Sequence, residues 1–200
     1  MGLDVHKESY SVTAYCDNEV VKTDCINASP QVLVNYCHKH FKGARIVSAY
    51  EAGFCGFTLH RTLVSNHIEN IIVHPSSIEI AANDKVKTDK KDSLKIAIHL
   101  SLGRLKGIYI PSIEQENNRS ITRYRATLAK QKTRCINRIK GFLHYSGIGV
   151  TWGRASKKTI VELRRLELSD SLRLCLGLML DEWERICVDI KKCETDRKST

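Results

Sequence analysis

Four carboxylates in this 200-residue chain have types and placements suited to chemistry: Asp4, Glu51, Asp89 and Asp92. Asp4 stands in the short apolar opening Gly2-Leu3-Asp4-Val5, and Glu51 ends the apolar run from Ile46 to Tyr50. Asp89 and Asp92 lie three apart at the start of a helical stretch, so they share one helix face. A helix laid across the ends of two adjacent strands would add this pair to Asp4 and Glu51. Hard divalent cations prefer carboxylate oxygens, and two Mg²⁺ ions about 3.5–4 Å apart can activate a water or hydroxyl and stabilise the leaving oxygen of a phosphodiester. Taken singly, each acid has a plainer reading. Asp4 suits a turn before His6-Lys7-Glu8, Glu51 a surface strand end, and Asp89 and Asp92 a first helical turn that favours acids. Their joint order points to a Mg²⁺ centre, and Mn²⁺ would satisfy the same oxygens.

Basic residues crowd this set. Lys85, Lys87, Lys90, Lys91 and Lys95 surround the paired aspartates, and such a field draws a phosphate backbone toward an acidic metal site. Residues 113 to 145 hold Arg119, Arg123, Arg125, Lys130, Lys132, Arg134, Arg138 and Lys140, with no acid after Glu116. Arg123, Lys130, Arg134 and Arg138 are candidates for gripping nucleic-acid phosphates; an ordinary solvated helix surface is the alternative. Contacts of this kind position nucleic acid without specifying its sequence. Tyr10, Tyr50, Phe54 and Trp152 either stack on bases or pack in the core. His6 and His74 lie near the proposed site, but no pattern makes either one catalytic.

The elements that must position these residues follow from periodicity. Gly2 to Val5 reads as a short strand, and Ser9 to Cys16 alternates like a half-buried strand. Asp17-Asn18-Glu19 supplies a turn, and residues 19 to 26 complete a three-stranded antiparallel meander. Ser29 and Pro30 predict an N-cap and first-turn proline for a helix ending near Phe41, before Gly43. Then come the strand ending at Glu51, a helix carrying Phe57, Leu59, Leu63 and Val64, and the strand Ile71-Ile72-Val73, which stops at Pro75. This order suits an α/β fold with a mixed sheet and flanking helices. After about Pro111 strand signals vanish. Leu172, Leu176, Met179, Trp183, Ile186 and Ile190 step by three or four, as in a helical hairpin or coiled coil through which two copies would dimerise. The predicted division is residues 1–110 and 111–200.

Composition agrees with a nucleic-acid partner: 32 Lys and Arg against 22 Asp and Glu give a formal charge of +10. The 8 cysteines show no CxxC pair, so they read as reduced thiols, mostly packed as small apolar residues. Cys37, His38 and His40 form a tight cluster inside a helical pattern and lack the partner pair of a metal site. No charged-then-apolar leader and no run near the roughly 20 apolar residues of a membrane span occur, which predicts a cytosolic protein.

Gly2-Leu3-Asp4-Val5-His6-Lys7, then Tyr50-Glu51-Ala52-Gly53, then Val86-Lys87-Thr88-Asp89-Lys90-Lys91-Asp92-Ser93 resembles the DEDD transposases of the insertion-sequence 110 family. That group includes pilin-gene invertases and bridge-RNA-guided recombinases. Val73, Pro75 and Ser76 fit as well, and Lys132 to Lys140 looks like the basic helix that follows. The resemblance implies an RNase-H-like (RuvC-like) nuclease domain over residues 1 to about 110, followed by a helical coiled-coil region. Asp4, Glu51, Asp89 and Asp92 would be its metal-binding tetrad. It also implies DNA strand exchange, with a structured guide RNA specifying donor and target DNA. In full-length relatives a second domain supplies a serine nucleophile. No serine here matches that role, so the chain is expected to be C-terminally truncated, with its first strand clipped near Met1.

Three functions remain open at this level: a transposase or recombinase part, a stand-alone Holliday-junction-type endonuclease, and an inactive remnant that binds nucleic acid or dimerises.

Overall fold

The computed structural model describes residues 1–77, 89–149, 152 and 155–196, with the backbone alone for Ser77, Asp89 and Asp196. The chain divides into two compact units, Met1–Ile110 and Pro111–Thr200.

The first unit is built on a five-stranded mixed sheet. Its strands are β1 (Gly2–Val5), β2 (Ser9–Cys16), β3 (Glu19–Asn27), β4 (Val47–Glu51) and β5 (Glu69–Val73), in the order β3-β2-β1-β4-β5. The first three form the expected antiparallel meander, and β4 and β5 add in parallel beside β1. Asp17 and Asn18 join β2 to β3 with φ of 50° and 64°, the left-handed pair that a tight two-residue hairpin requires. This is an RNase-H-like α/β arrangement, with β1 at the sheet centre and β4 beside it.

Helices cover both faces. On one side α1 (Pro30–His40) and α2 (Thr58–Ser65) bury Leu33, Cys37, Leu59 and Leu63 against Leu3, Val12, Tyr50 and Ile72. Full burial of each such aliphatic side chain contributes roughly 1.5–3 kcal/mol. Pro30 opens α1 as expected, but the Ser29 side chain makes no capping hydrogen bond. On the other side α3 (Asp89–Ser101) packs across β2, β1 and β4. This second layer corrects the half-buried reading of β2. Ser11 and Thr13, on the face expected to meet water, are buried because α3 lies over them. Beyond α3 the chain returns to the sheet edge, where Gly107 bridges Val73 and the Ile108 amide donates to the Ile72 carbonyl at 2.7 Å.

The second unit is helical: α4 (Ile113–Tyr145), α5 (Lys157–Arg164) and α6 (Asp170–Asp196). Ser112 caps α4 reciprocally with Gln115. Contacts pair Arg125 with Glu194 and Arg138 with Glu182, so α4 and α6 run antiparallel. The seam of Leu176, Met179, Trp183, Ile186 and Ile190 packs with Leu128, Cys135, Ile139 and Leu143 of the same chain. A seam expected to join two copies is therefore filled from within. Helix α5 was not anticipated, although Ser156 and Thr159 form a capping box at its start.

The cysteines are free thiols, and most pack as expected: Cys37 and Cys135 are buried and Cys55, Cys187 and Cys193 pack partly buried against the cores, while Cys16, Cys25 and Cys175 are exposed. Cys37 sits inside the α1 core, and His38 and His40 lie exposed on the same helix.

Candidate functional site

The parallel register of β1 and β4 sets Gly2 beside Ala49 and Leu3 beside Tyr50. One step further along stand Asp4 and Glu51, on neighbouring strands at the same end of the sheet. Side-chain alternation then decides which face they occupy. Leu3 and Tyr50 enter the core beneath α1 and α2. Gly2 and Ala49 lie under α3, where Ala49 packs with Val73 and Ile96. Asp4 and Glu51, each two residues further on, therefore share the α3 face.

Helix α3 runs against the direction of β1. Its later residues Ala97, Leu100 and Ser101 line a cleft with Met1 and Val47, at the strand starts. Its first turn, beginning at Asp89 and containing Asp92, accordingly lies toward the strand ends that carry Asp4 and Glu51. Close approach is enforced at Gly2, where an added Cβ would stand 2.0 Å from the Ser93 carbonyl oxygen and 2.4 Å from the Ala97 nitrogen.

Each described carboxylate has neighbours. His6 Nε2 lies 3.0 Å from Asp4 Oδ2, and Lys95 Nζ lies 4.0 Å from Asp92 Oδ1. Both acids are about four-fifths buried at the side chain, at 21% and 22% exposure, so these partners offset part of the repulsion among like charges. Among the described residues no three His, Cys, Asp or Glu side chains gather closely enough to hold a metal ion. The Asp89 side chain is outside that set. Asp4, Glu51 and Asp92 are oxygen donors of the type that hard divalent cations prefer, distributed over two strands and a helix on one face of the sheet.

A family model for the DEDD transposases of insertion-sequence 110 elements, described as "Transposase", matches residues 1–146. The chain belongs to this transposase family. It is 32% identical over 160 residues to the Sinorhizobium fredii protein named "Putative transposase y4rJ", covering 74% of this chain and 40% of that protein. It is also 32% identical over 148 residues to the "Transposase for insertion sequence element IS1533" of Leptospira borgpetersenii, covering 72% of this chain and 42% of that protein. The chain thus spans about two fifths of the length of these relatives.

In this transposase-family chain the basic residues sort by environment. Lys90 and Lys91 are exposed beside Asp92, and Lys95 pairs with it. Lys85 and Lys87 lie outside the described residues. On α4, Arg119, Arg123, Lys130 and Arg134 are all exposed, and their steps of four, seven and four return to one side of the helix. That side is opposite Leu128, Cys135 and Ile139, which face α6. Arg138 differs from the other candidates because its Nη1 donates to Glu182 at 2.8 Å. Lys132 and Lys140 lie over the rings of Trp183 and Trp152.

The aromatic candidates separate as well. Tyr10 and Tyr50 are buried, and Trp152 packs in the helical core. Phe54, three residues after Glu51, is 62% exposed. His74 bonds Ser76 through Nδ1 at 2.8 Å. Among the described residues no helix is long and apolar enough to cross a membrane.

Sequence reasoning missed Thr13 and Ser93, buried hydroxyls between the sheet and α3. No sequence signal pointed to them, because the cover that α3 places over β2 is set by packing across 80 residues.

Proposed function

We propose that this chain carries the metal-dependent part of a DNA transposase or recombinase. Asp4, Glu51, Asp89 and Asp92 act as ligands for Mg²⁺, with Mn²⁺ as a competent substitute. One observation carries this reading: Asp4 and Glu51 lie on adjacent central strands and face the helix whose first turn contains Asp89 and Asp92. A divalent cation bound there would supply Lewis acidity to a DNA phosphodiester.

The chain's own residues do the remaining work. Lys85, Lys87, Lys90 and Lys91 attract the phosphate backbone toward the acidic end, and Lys95 balances the charge of Asp92. The α4 face of Arg119, Arg123, Lys130 and Arg134 holds further phosphates, of DNA or of a structured guide RNA, over roughly 22 Å of helix. Phe54 offers an exposed ring beside the carboxylate end for stacking on a base. Oligomerisation through the helical region uses exposed positions such as Leu174 and Leu178 of α6, because the apolar seam is already filled. The setting is the cytosol, where DNA is accessible.

The test is cleavage or strand transfer on duplex and branched DNA, with Mg²⁺ or EDTA, comparing wild type with Glu51→Gln and Asp92→Asn. Metal-dependent activity lost in both variants supports the reading. Cleavage of branched DNA without RNA would assign a junction endonuclease instead. Metal-independent nucleic-acid binding without any cleavage would leave a binding remnant.

A further inference from the structure

Thr13 of β2 and Ser93 of α3 are both 0% exposed, and their hydroxyl oxygens lie 2.8 Å apart. Ser93 donates its only hydroxyl proton to the Lys90 carbonyl at 3.1 Å, so it accepts from Thr13. Thr13 in turn lies 3.4 Å from the Thr23 hydroxyl on β3. The result is a directional run of hydroxyls, Thr23 to Thr13 to Ser93, ending on a carbonyl between Asp89 and Asp92. We propose that Thr13 and Ser93 are positioning residues for the carboxylate centre, holding the first turn of α3 in register with the strand ends.

The need for such a device is electrostatic. Carboxylates brought to one end of the sheet repel one another, and that repulsion pushes the first turn of α3 outward. Two buried hydroxyls stabilise the fold little more than an apolar pair of the same shape. Their hydrogen bond instead fixes how α3 is rotated and where it sits along β2, whereas apolar surfaces slide. Gly2 acts at the same residue from below, because its missing side chain lets the Ser93 backbone rest on β1. Thr13 and Gly2 are register partners, so both contacts fall on one rung of the sheet. Low dielectric and alignment strengthen each bond in such a run.

This inference rests on the metal-centre reading above, and one experiment separates the two. Mn²⁺ binding to the full chain, with and without duplex DNA, is followed by the electron paramagnetic resonance of the free ion, with circular dichroism reporting the folded fraction. Thr13→Val and Ser93→Ala are expected to weaken Mn²⁺ affinity roughly tenfold or more while the chain stays folded. The double variant should be no worse than the weaker-binding single variant, and Thr13→Ser, which keeps the hydroxyl, should bind as wild type does. Unchanged affinity in Thr13→Val overturns the proposal, as does a loss that only tracks the unfolded fraction. If neither variant folds, the hydroxyl pair holds the fold itself rather than the register of α3, and the proposal is overturned. A wild-type chain that binds no Mn²⁺ fails at an earlier step: the metal reading falls, and this proposal with it, before any variant is compared.

Discussion

Gly2 and Ser93 meet with no space for a side chain between them: a Cβ on Gly2 would stand 2.0 Å from the Ser93 carbonyl oxygen. The obstacle is helix backbone, which cannot rotate aside as a side chain would. Gly2→Ala must therefore lift α3 or shift β1. The expected cost is about 1–3 kcal/mol, the range for overpacking a close contact. Thermal denaturation measures it, and an unchanged melting temperature would mean that α3 approaches β1 less closely.

Glu51→Gln removes one negative charge from the α3 face while keeping the shape of the side chain. Metal-free stability should stay level or rise slightly, because like charges are relieved. Stabilisation by added Mg²⁺ should fall sharply; for a functional site it amounts to about 2.7 kcal/mol at a hundredfold excess over Kd. Melting curves with and without Mg²⁺ test both halves, and a full metal-induced shift in the variant would exclude Glu51 as a ligand.

Arg119, Arg123, Lys130 and Arg134 should behave differently from Arg138. Replacing all four with Gln is expected to weaken nucleic-acid binding and to flatten its salt dependence by about 0.9 in log–log slope per lost phosphate contact on duplex DNA. Arg138→Gln breaks an exposed pair with Glu182 and should cost only about 0.2–1 kcal/mol of stability, with little effect on binding. Fluorescence anisotropy across a salt series distinguishes the two cases.

Burial pushes the Cys37 thiol up to about 11. The Tyr36 and Tyr50 hydroxyls are raised too, chiefly by burial, with the Asp24 hydrogen bond adding to the rise at Tyr36. In the unfolded chain these groups ionise near their ordinary values of 9 and 10, while the folded chain resists. The Cys37 contribution to stability is whole below pH 9 and is lost as pH rises through about 11, whereas those of Tyr36 and Tyr50 begin to fall only above pH 10 and keep falling beyond 11. Melting temperature should accordingly fall between pH 9 and 11. Cys25 and Cys175 should react quickly with a thiol reagent at pH 8, Cys16 more slowly because its hydrogen bond to Asp17 raises its thiol, and Cys37 and Cys135 only on unfolding.

Much of the first unit was legible in the chain because local rules dominate there. Alternation in β2, the Asp17-Asn18 turn and Pro30 at the start of α1 each act over a few residues, and the corresponding elements formed. The neighbouring of β1 and β4 was expected from the order of elements and the family resemblance rather than from any local signal. Helix α5 was missed because its 8 residues, about two helical turns between loops, carry too little periodicity to register.

The sequence by itself determined the carboxylates, the excess of basic charge, the order of strands and helices, and the resemblance to a transposase family. These depend on residue type and short spacing. The tertiary structure alone decided which surfaces are spent. Both faces of β2 are covered because α3 closes over it, the α6 seam is satisfied by α4, and Arg138 is committed to Glu182. It alone also joined Thr13 to Ser93 across 80 residues. The reason is physical: burial and hydrogen-bond partnership are properties of what packs against a residue, and no local pattern specifies a neighbour that distant.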